Sequence, residues 1–131
     1  MAEKETFIGV NSTEISINDV IFVRKDSIQQ QEAESLDGMP YVIIRTYSAG
    51  VFAGYLESRE GKEGVIRKSR RIWYWDGAAS LSQLAMEGTN APANCKFACV
   101  VEKMEITEII EVLHATEAAR CNIEGVQIWK K

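Results

Sequence analysis

The residues best equipped for chemistry lie in one run. From Arg67 to Trp75 the chain reads Arg-Lys-Ser-Arg-Arg-Ile-Trp-Tyr-Trp. Side chains of an extended strand alternate between its faces. This spacing therefore predicts Arg67, Ser69, Arg71, Trp73 and Trp75 on one face and Ile66, Ile72 and Tyr74 on the other. The second set holds the purely apolar members and is the expected core face. The first sets guanidinium groups beside large flat rings. Guanidinium pairs with phosphate in bidentate fashion and an aromatic ring stacks on a base, so the mixture suits a nucleotide. Arg45 and Tyr47, on a neighbouring strand, can join that face. The plainer reading, that Trp73 and Trp75 are core or dimer-interface aromatics, stays equally open.

Other chemistries find little support. Cys95 and Cys99 have a spacing that could sit on a metal, but Cys121 and the single His114 do not make a second ligand pair. Free thiols are expected, since three cysteines cannot all pair. His114 lies in Glu111-Val-Leu-His-Ala-Thr beside no Ser or Cys nucleophile motif. Glu102, Glu105, Glu108 and Glu111 recur every third residue, and on a strand they divide between faces as solvated charges. Gly50–Gly54 and Gly61–Gly64 lack the Lys-Ser/Thr ending of a phosphate loop and read as hairpin turns and a close strand contact. The expectation is a protein without catalysis, metal or cofactor.

The elements that position these residues follow from periodicity. Thr6–Val10 reads as a short strand, and 11–38 as a loop or insertion that includes Gln29-Gln-Gln-Glu-Ala-Glu. Tyr41–Tyr47, Val51–Glu57 and Val65–Trp75 are rich in β-branched and aromatic residues and predict three strands. Short Gly-containing connections make them an antiparallel meander. Ala78–Glu87 predicts a helix, with Leu81, Leu84 and Ala85 on one stripe and Gly88 as its stop. Thr89–Lys96, with Pro92, is a loop, Val100–Val112 one more strand, and Thr116 the start of a second short helix. The fold class is α+β: an antiparallel sheet core with two short helices, in a single domain spanning 1–131.

Composition bounds the partners. The 131 residues are 46% hydrophobic and 26% charged, enough to bury a core without disulfides. No apolar run approaches the length of a membrane span, and Met1–Val10 lacks a signal peptide's apolar core, so a soluble protein is expected. The net charge of −4 is segregated. Residues 1–38 carry three basic and eight acidic side chains, 39–75 seven and three, and 76–131 five and eight. A basic middle between acidic ends disfavours long nucleic acid and fits a small anion held by a few arginines, although a mixed solvated face reads equally simply.

Several blocks carry a resemblance. Arg45-Thr-Tyr-Ser-Ala-Gly-Val-Phe-Ala-Gly-Tyr-Leu56, Arg70-Arg-Ile-Trp-Tyr-Trp-Asp-Gly-Ala-Ala-Ser-Leu-Ser-Gln-Leu-Ala85 and Asn94-Cys-Lys-Phe97 resemble small phage and prophage proteins long described as a domain of unknown function. Thr107-Glu-Ile-Ile-Glu-Val and Thr116-Glu-Ala-Ala extend the likeness over about residues 39–129. The family looks like Thoeris anti-defence protein one, a sponge for cyclic ADP-ribose signals. Some members also capture cyclic di- or trinucleotides of CBASS-type defence. The resemblance implies an antiparallel core with paired helices and ligand pockets at a homodimer interface, in some members within a trimer of dimers. It places such a protein in the cytoplasm of an infected bacterium. Residues 11–38 match nothing in that pattern.

A sponge needs affinity rather than a general base. Pyrophosphate asks for arginine, the base for a flat ring and ribose for hydroxyls or carboxamides. Arg45, Arg70 and Arg71 are candidates for the first, and Tyr47, Trp73, Trp75 and Phe97 for the second. Ser80, Ser82, Gln83, Asn90, Asn94 and Thr107 are candidates for the third. Two alternatives remain: a phage protein that binds a host protein through an aromatic surface, and a single-stranded nucleic-acid binder, which an isoelectric point near 5.1 disfavours.

Overall fold

The computed structural model describes residues 31–131 and the strands β1 (Glu14–Ile17) and β2 (Val20–Val23). Contacts divide the chain into two compact units, Met1–Gln31 and Glu32–Lys131. In the first, β1 and β2 pair antiparallel, from Glu14 opposite Val23 to Ile17 opposite Val20. Within the segment expected to be a loop or insertion, 14–17 and 20–23 are thus strands, and the β-branched Ile15, Ile17, Val20 and Val23 favour that extended backbone. The strand expected at Thr6–Val10 lies outside the described residues.

The second unit is built on a five-stranded antiparallel sheet with two helices. Its strands are β3 (Tyr41–Thr46), β4 (Val51–Glu60), β5 (Glu63–Tyr74), β6 (Lys96–Ile106) and β7 (Ile109–His114). The helices are α1 (Leu81–Glu87) and α2 (Glu117–Glu124). The meander expected from β3 through β5 is present, and the sheet order is β6-β5-β4-β3-β7. The single strand expected over 100–112 is two strands. Glu108, with φ of +62°, breaks it, and β7 pairs with β3 at the far edge.

That order forces the sheet to roll. Flat strands about 4.8 Å apart would hold the two edges roughly 19 Å apart, whereas three Cα steps reach about 11 Å. Only Thr107 and Glu108 separate β6 from β7. The Ile109 N–H also donates to the Lys62 carbonyl at 2.9 Å, tying β7 to the β4–β5 turn. Rolling gives the sheet two apolar faces. Val42, Ile44, Phe52, Ile66, Ile106 and Ile109 fill the concave one. Tyr41, Ile43, Ala53, Tyr55, Ile72 and Phe97 pack on the other with Leu84 and Ala85 of α1 and Ala119 and Ile123 of α2. β3 serves both clusters, which explains why Tyr41-Val-Ile-Ile44 is a continuous buried run.

Each helix begins as its cap residues dictate. The Ser80 hydroxyl accepts from the Gln83 N–H at 3.1 Å, and Thr116 accepts from the Ala119 N–H at 3.1 Å. Gly88 ends α1 at φ +79°, with the Asn122 side chain of α2 against it. The Asn122 carboxamide accepts from the Thr89 N–H at 2.9 Å and donates to the Thr89 carbonyl at 2.8 Å, locking the two helices together.

β5 does not keep one alternation. Relative to β4 it carries an extra residue between Arg67 and Arg70, where Lys68 has φ of +49°. Ile66 therefore enters the concave cluster while Ile72 enters the helix-covered one. This corrects the expectation that both share a core face. Gly54 faces the bulge, where a Cβ would lie 2.9 Å from the Ser69 Cα and 3.0 Å from the Arg67 carbonyl oxygen. Gly54→Ala should therefore destabilise by about 1–3 kcal/mol, read from the urea midpoint at unchanged slope.

Candidate functional site

The arginines expected to hold an anion separate by environment. Arg70, 3% exposed, turns under α2. Its Nε donates to the Ala98 carbonyl at 2.9 Å, and its Nη1 to the Ile123 and Val126 carbonyls at 2.9 and 2.8 Å. Its Nη2 donates to the Phe97 and Gln127 carbonyls at 3.2 and 3.3 Å. A guanidinium has five N–H donors, and these contacts occupy the group inside the protein. Burial pushes its pKa below the ordinary value. Arg70 thus closes the structure rather than meeting solvent, and the bulge near Lys68 puts it with Ile72 on the helix-covered face rather than with Ile66 on the concave one.

Arg71 is the opposite case. Its guanidinium carbon sits 4.7 Å from the centre of the Phe52 ring, and Nη1 reaches the Ala49 carbonyl at 3.4 Å. The side chain is exposed and has no carboxylate partner among the described residues. Arg45 is paired, its Nε 2.8 Å from Glu111 Oε1 across the β3–β7 ladder. Arg67 is paired with Glu57, which the guanidinium holds below the usual carboxylate range.

The aromatics divide in the same way. Phe97 is fully buried beside Arg70. Trp75 is half-buried against the helix-covered cluster and donates from Nε1 to the Ala78 carbonyl at 3.2 Å, so it leaves the face assigned to it with Trp73. Tyr47 is 79% exposed beyond β3. Trp73 is 63% exposed and stacks on Trp129, 6.5 Å between ring centres and 6° between planes. Lys96 Nζ lies 5.4 Å from the Trp129 ring centre.

The polar candidates are largely occupied locally. Ser80 caps α1; the Gln83 side chain accepts from the Ala79 N–H and donates to Glu87. Asn94 Nδ2 donates to Asp76 at 3.1 Å, while Asn90 is fixed only through its backbone N–H, which donates to the Gly77 carbonyl at 3.2 Å, and its side chain is exposed. Ser82 is exposed on α1. Thr107 stands in the β6–β7 link, lining an open depression of about 390 Å³ with Arg59, Glu60, Glu63 and Glu105. Three carboxylates against one guanidinium leave the depression a poor place for an anion.

The structure therefore leaves Arg71 and Trp73 both exposed near the end of β5, Arg71 over Phe52 and Trp73 against Trp129, and puts Arg70, Phe97 and Trp75 in structural places. It adds two residues that spacing missed, Lys96 and Trp129. Trp129 is 56 positions from Trp73, and no local pattern reports such a pairing. Their only sequence signals are that Lys96 lies within Asn94–Phe97 and that Trp129 ends the last apolar stretch. Among the described residues no three His, Cys, Asp or Glu side chains converge as a metal site. No described helix is long and apolar enough to cross a membrane.

The contrast between adjacent arginines is measurable. Arg70→Ala removes a donor from five carbonyls, three of those bonds buried, and should cost about 3–5 kcal/mol, with Arg70→Lys a poor substitute for a planar five-donor fork. Arg71→Ala should cost under about 1 kcal/mol. Chemical denaturation of the three variants beside the parent checks this.

Comparison with known proteins adds one match. No curated protein and no solved structure matches the chain. A family model matches residues 39–123, from the approach to β3 into α2, and so takes in the whole rolled sheet and both arginines. The chain belongs to the family described as Domain of unknown function (DUF6948).

Proposed function

We propose that the chain is a non-catalytic sponge of phage or prophage origin. It binds cyclic nucleotide immune signals, cyclic ADP-ribose isomers and cyclic di- or trinucleotides, and withholds them from the defence of the infected bacterium whose cytoplasm it occupies. The observation that carries this reading is the exposed Arg71 guanidinium, without a carboxylate partner among the described residues and two positions from the exposed Trp73 ring. Such a pair offers a phosphate its charge and a base its stacking surface. The resemblance of Arg45–Leu56, Arg70–Ala85 and Asn94–Phe97 to the anti-defence family supports the same reading.

Capture without chemistry works by mass action: each occupied site removes one signal molecule while affinity exceeds the signalling concentration. Tight holding needs enclosure, and ligand pockets usually span about 300–1,000 Å³. The depression beside Tyr47, bounded by Lys62, Glu108 and Ile110, is about 220 Å³ and open. One chain alone encloses little, which favours a homodimer, or a trimer of dimers, in which a second copy closes each pocket. The exposed Val100, Ile128 and Trp129 support the second reading, a surface for a host protein.

Calorimetric titration with cyclic ADP-ribose, cyclic di-AMP and cyclic tri-adenylate tests the capture reading. At least one should bind and be released intact on heating; recovery of linear product at more than one turnover per chain would replace the sponge with a phosphodiesterase. Arg71→Ala should weaken binding about ten- to a hundredfold with an unchanged melting curve. Arg67→Ala should change it far less, because Glu57 already holds that side chain. Sedimentation at micromolar concentration should give a multiple of two chains, and a single-chain mass would overturn the shared pocket.

A further inference from the structure

The tail after α2 is fixed in its backbone and bare in its side chain. The Val126 and Gln127 carbonyls accept from Arg70, and the Trp129 N–H donates to the Phe97 carbonyl at 2.9 Å. The Gln127 carboxamide donates to the Pro92 carbonyl at 3.0 Å. These bonds hold the tail along the start of β6, where Ile128 bridges to Phe97 in parallel sense. Yet the Trp129 ring is 42% exposed and lies parallel to an even more exposed Trp73. An indole is among the largest apolar groups a chain can bury, so two in contact at the surface mark a place where something flat is received.

The charge around the pair says what. Lys96 Nζ lies over the Trp129 ring and forms no ion pair among the described residues. Lys130 and Lys131 follow directly, and Val126–Lys131 contains no acidic residue. A positive fringe around two parallel rings complements a flat ring that carries negative charge beside it.

We propose that Trp73 and Trp129 form the base-stacking platform of a nucleotide site, with Lys96 taking a phosphate of the same ligand; this rests on the capture reading and names how its ligand is gripped. Stacking reads any base through its π-face, so the platform gives affinity without choosing strongly among bases. Arg70 acts on it at second hand, as a positioning residue: it holds the tail, and the tail presents Trp129. The platform therefore exists only when α2, β6 and the tail are docked together.

The test uses the full chain. Tryptophan fluorescence is titrated with 5′-AMP, ribose 5-phosphate and cyclic di-AMP, and affinities are measured by calorimetry for the parent, Trp129→Ala, Trp129→Phe and Lys96→Gln. AMP and cyclic di-AMP should quench, and ribose 5-phosphate, which lacks a base, should not. Trp129→Ala should lose about tenfold or more in affinity for both quenching ligands. Trp129→Phe should keep part of it, and Lys96→Gln should flatten the salt dependence. If Trp129→Ala and Trp129→Phe bind cyclic di-AMP like the parent, the platform is wrong and capture stands. If AMP quenches but no cyclic nucleotide binds more tightly than AMP, the platform stands and the capture reading falls. If no nucleotide quenches and an acidic, aromatic peptide does, the surface is a protein-docking site and the platform is overturned.

Discussion

A charge buried without a counter-charge beside it is tolerable only if every donor it carries is satisfied, and that condition organises one end of this protein. Removing a guanidinium from water costs several kcal/mol. Arg70 offsets this with carbonyls drawn from three places: the start of β6, the end of α2, and the tail. Two favourable terms coincide there. Carbonyls at the C-terminus of a helix lack intrahelical partners, and the helix dipole places negative potential at that end. Because the fork is planar and rigid, it accepts only one arrangement of those segments. The positions of α2, β6 and Trp129 are thus coupled through a single side chain.

The second organising constraint is the short link between β6 and β7. Strands at opposite edges of a five-stranded sheet cannot be joined by Thr107-Glu108 unless the sheet curls. Curling requires irregularity, and β5, between β6 and β4, carries it on both sides. It gains a residue against β4 near Lys68 and another against β6 near Trp73, while β6 gains one against β5 near Ala98. Each extra residue exchanges the faces that the following side chains occupy. Alternation already sets the neighbours Arg70 and Arg71 on opposite faces, and the bulge near Lys68 decides that Arg70 meets the helices and Arg71 the Phe52 side.

The exposed aromatic end follows from the same geometry. β5 outlasts β4: their last register pair joins Ile72 to Val51, and beyond it β5 meets only Lys96 of β6. Trp73 and Tyr74 project past the covered part of the sheet, and only the tail comes back to meet them. A surface assembled this way is rigid in backbone and open in side chain, the combination that recognition of a small flat ligand requires.

Local pattern alone determined much of this protein. The β-branched runs of β3, β4 and β5, the turn at Gly50, the caps Ser80 and Thr116 and the stop at Gly88 are local signals, because they depend on hydrogen bonds and torsions within a few residues. The α+β class and the identity of Arg71 and Trp73 as exposed, chemically able residues were legible for the same reason. Tertiary structure alone decided which arginine is structural, that Phe97 and Trp75 are taken by packing, and that Lys96 and Trp129 belong beside Trp73. Alternation assumes an unbroken strand, and bulges arise from the demands of sheet closure, which no window of sequence contains. A pairing across 56 residues is likewise set by where α2 and the tail dock, and that is fixed by a guanidinium whose partners are backbone carbonyls, groups that every residue possesses and no sequence pattern can mark.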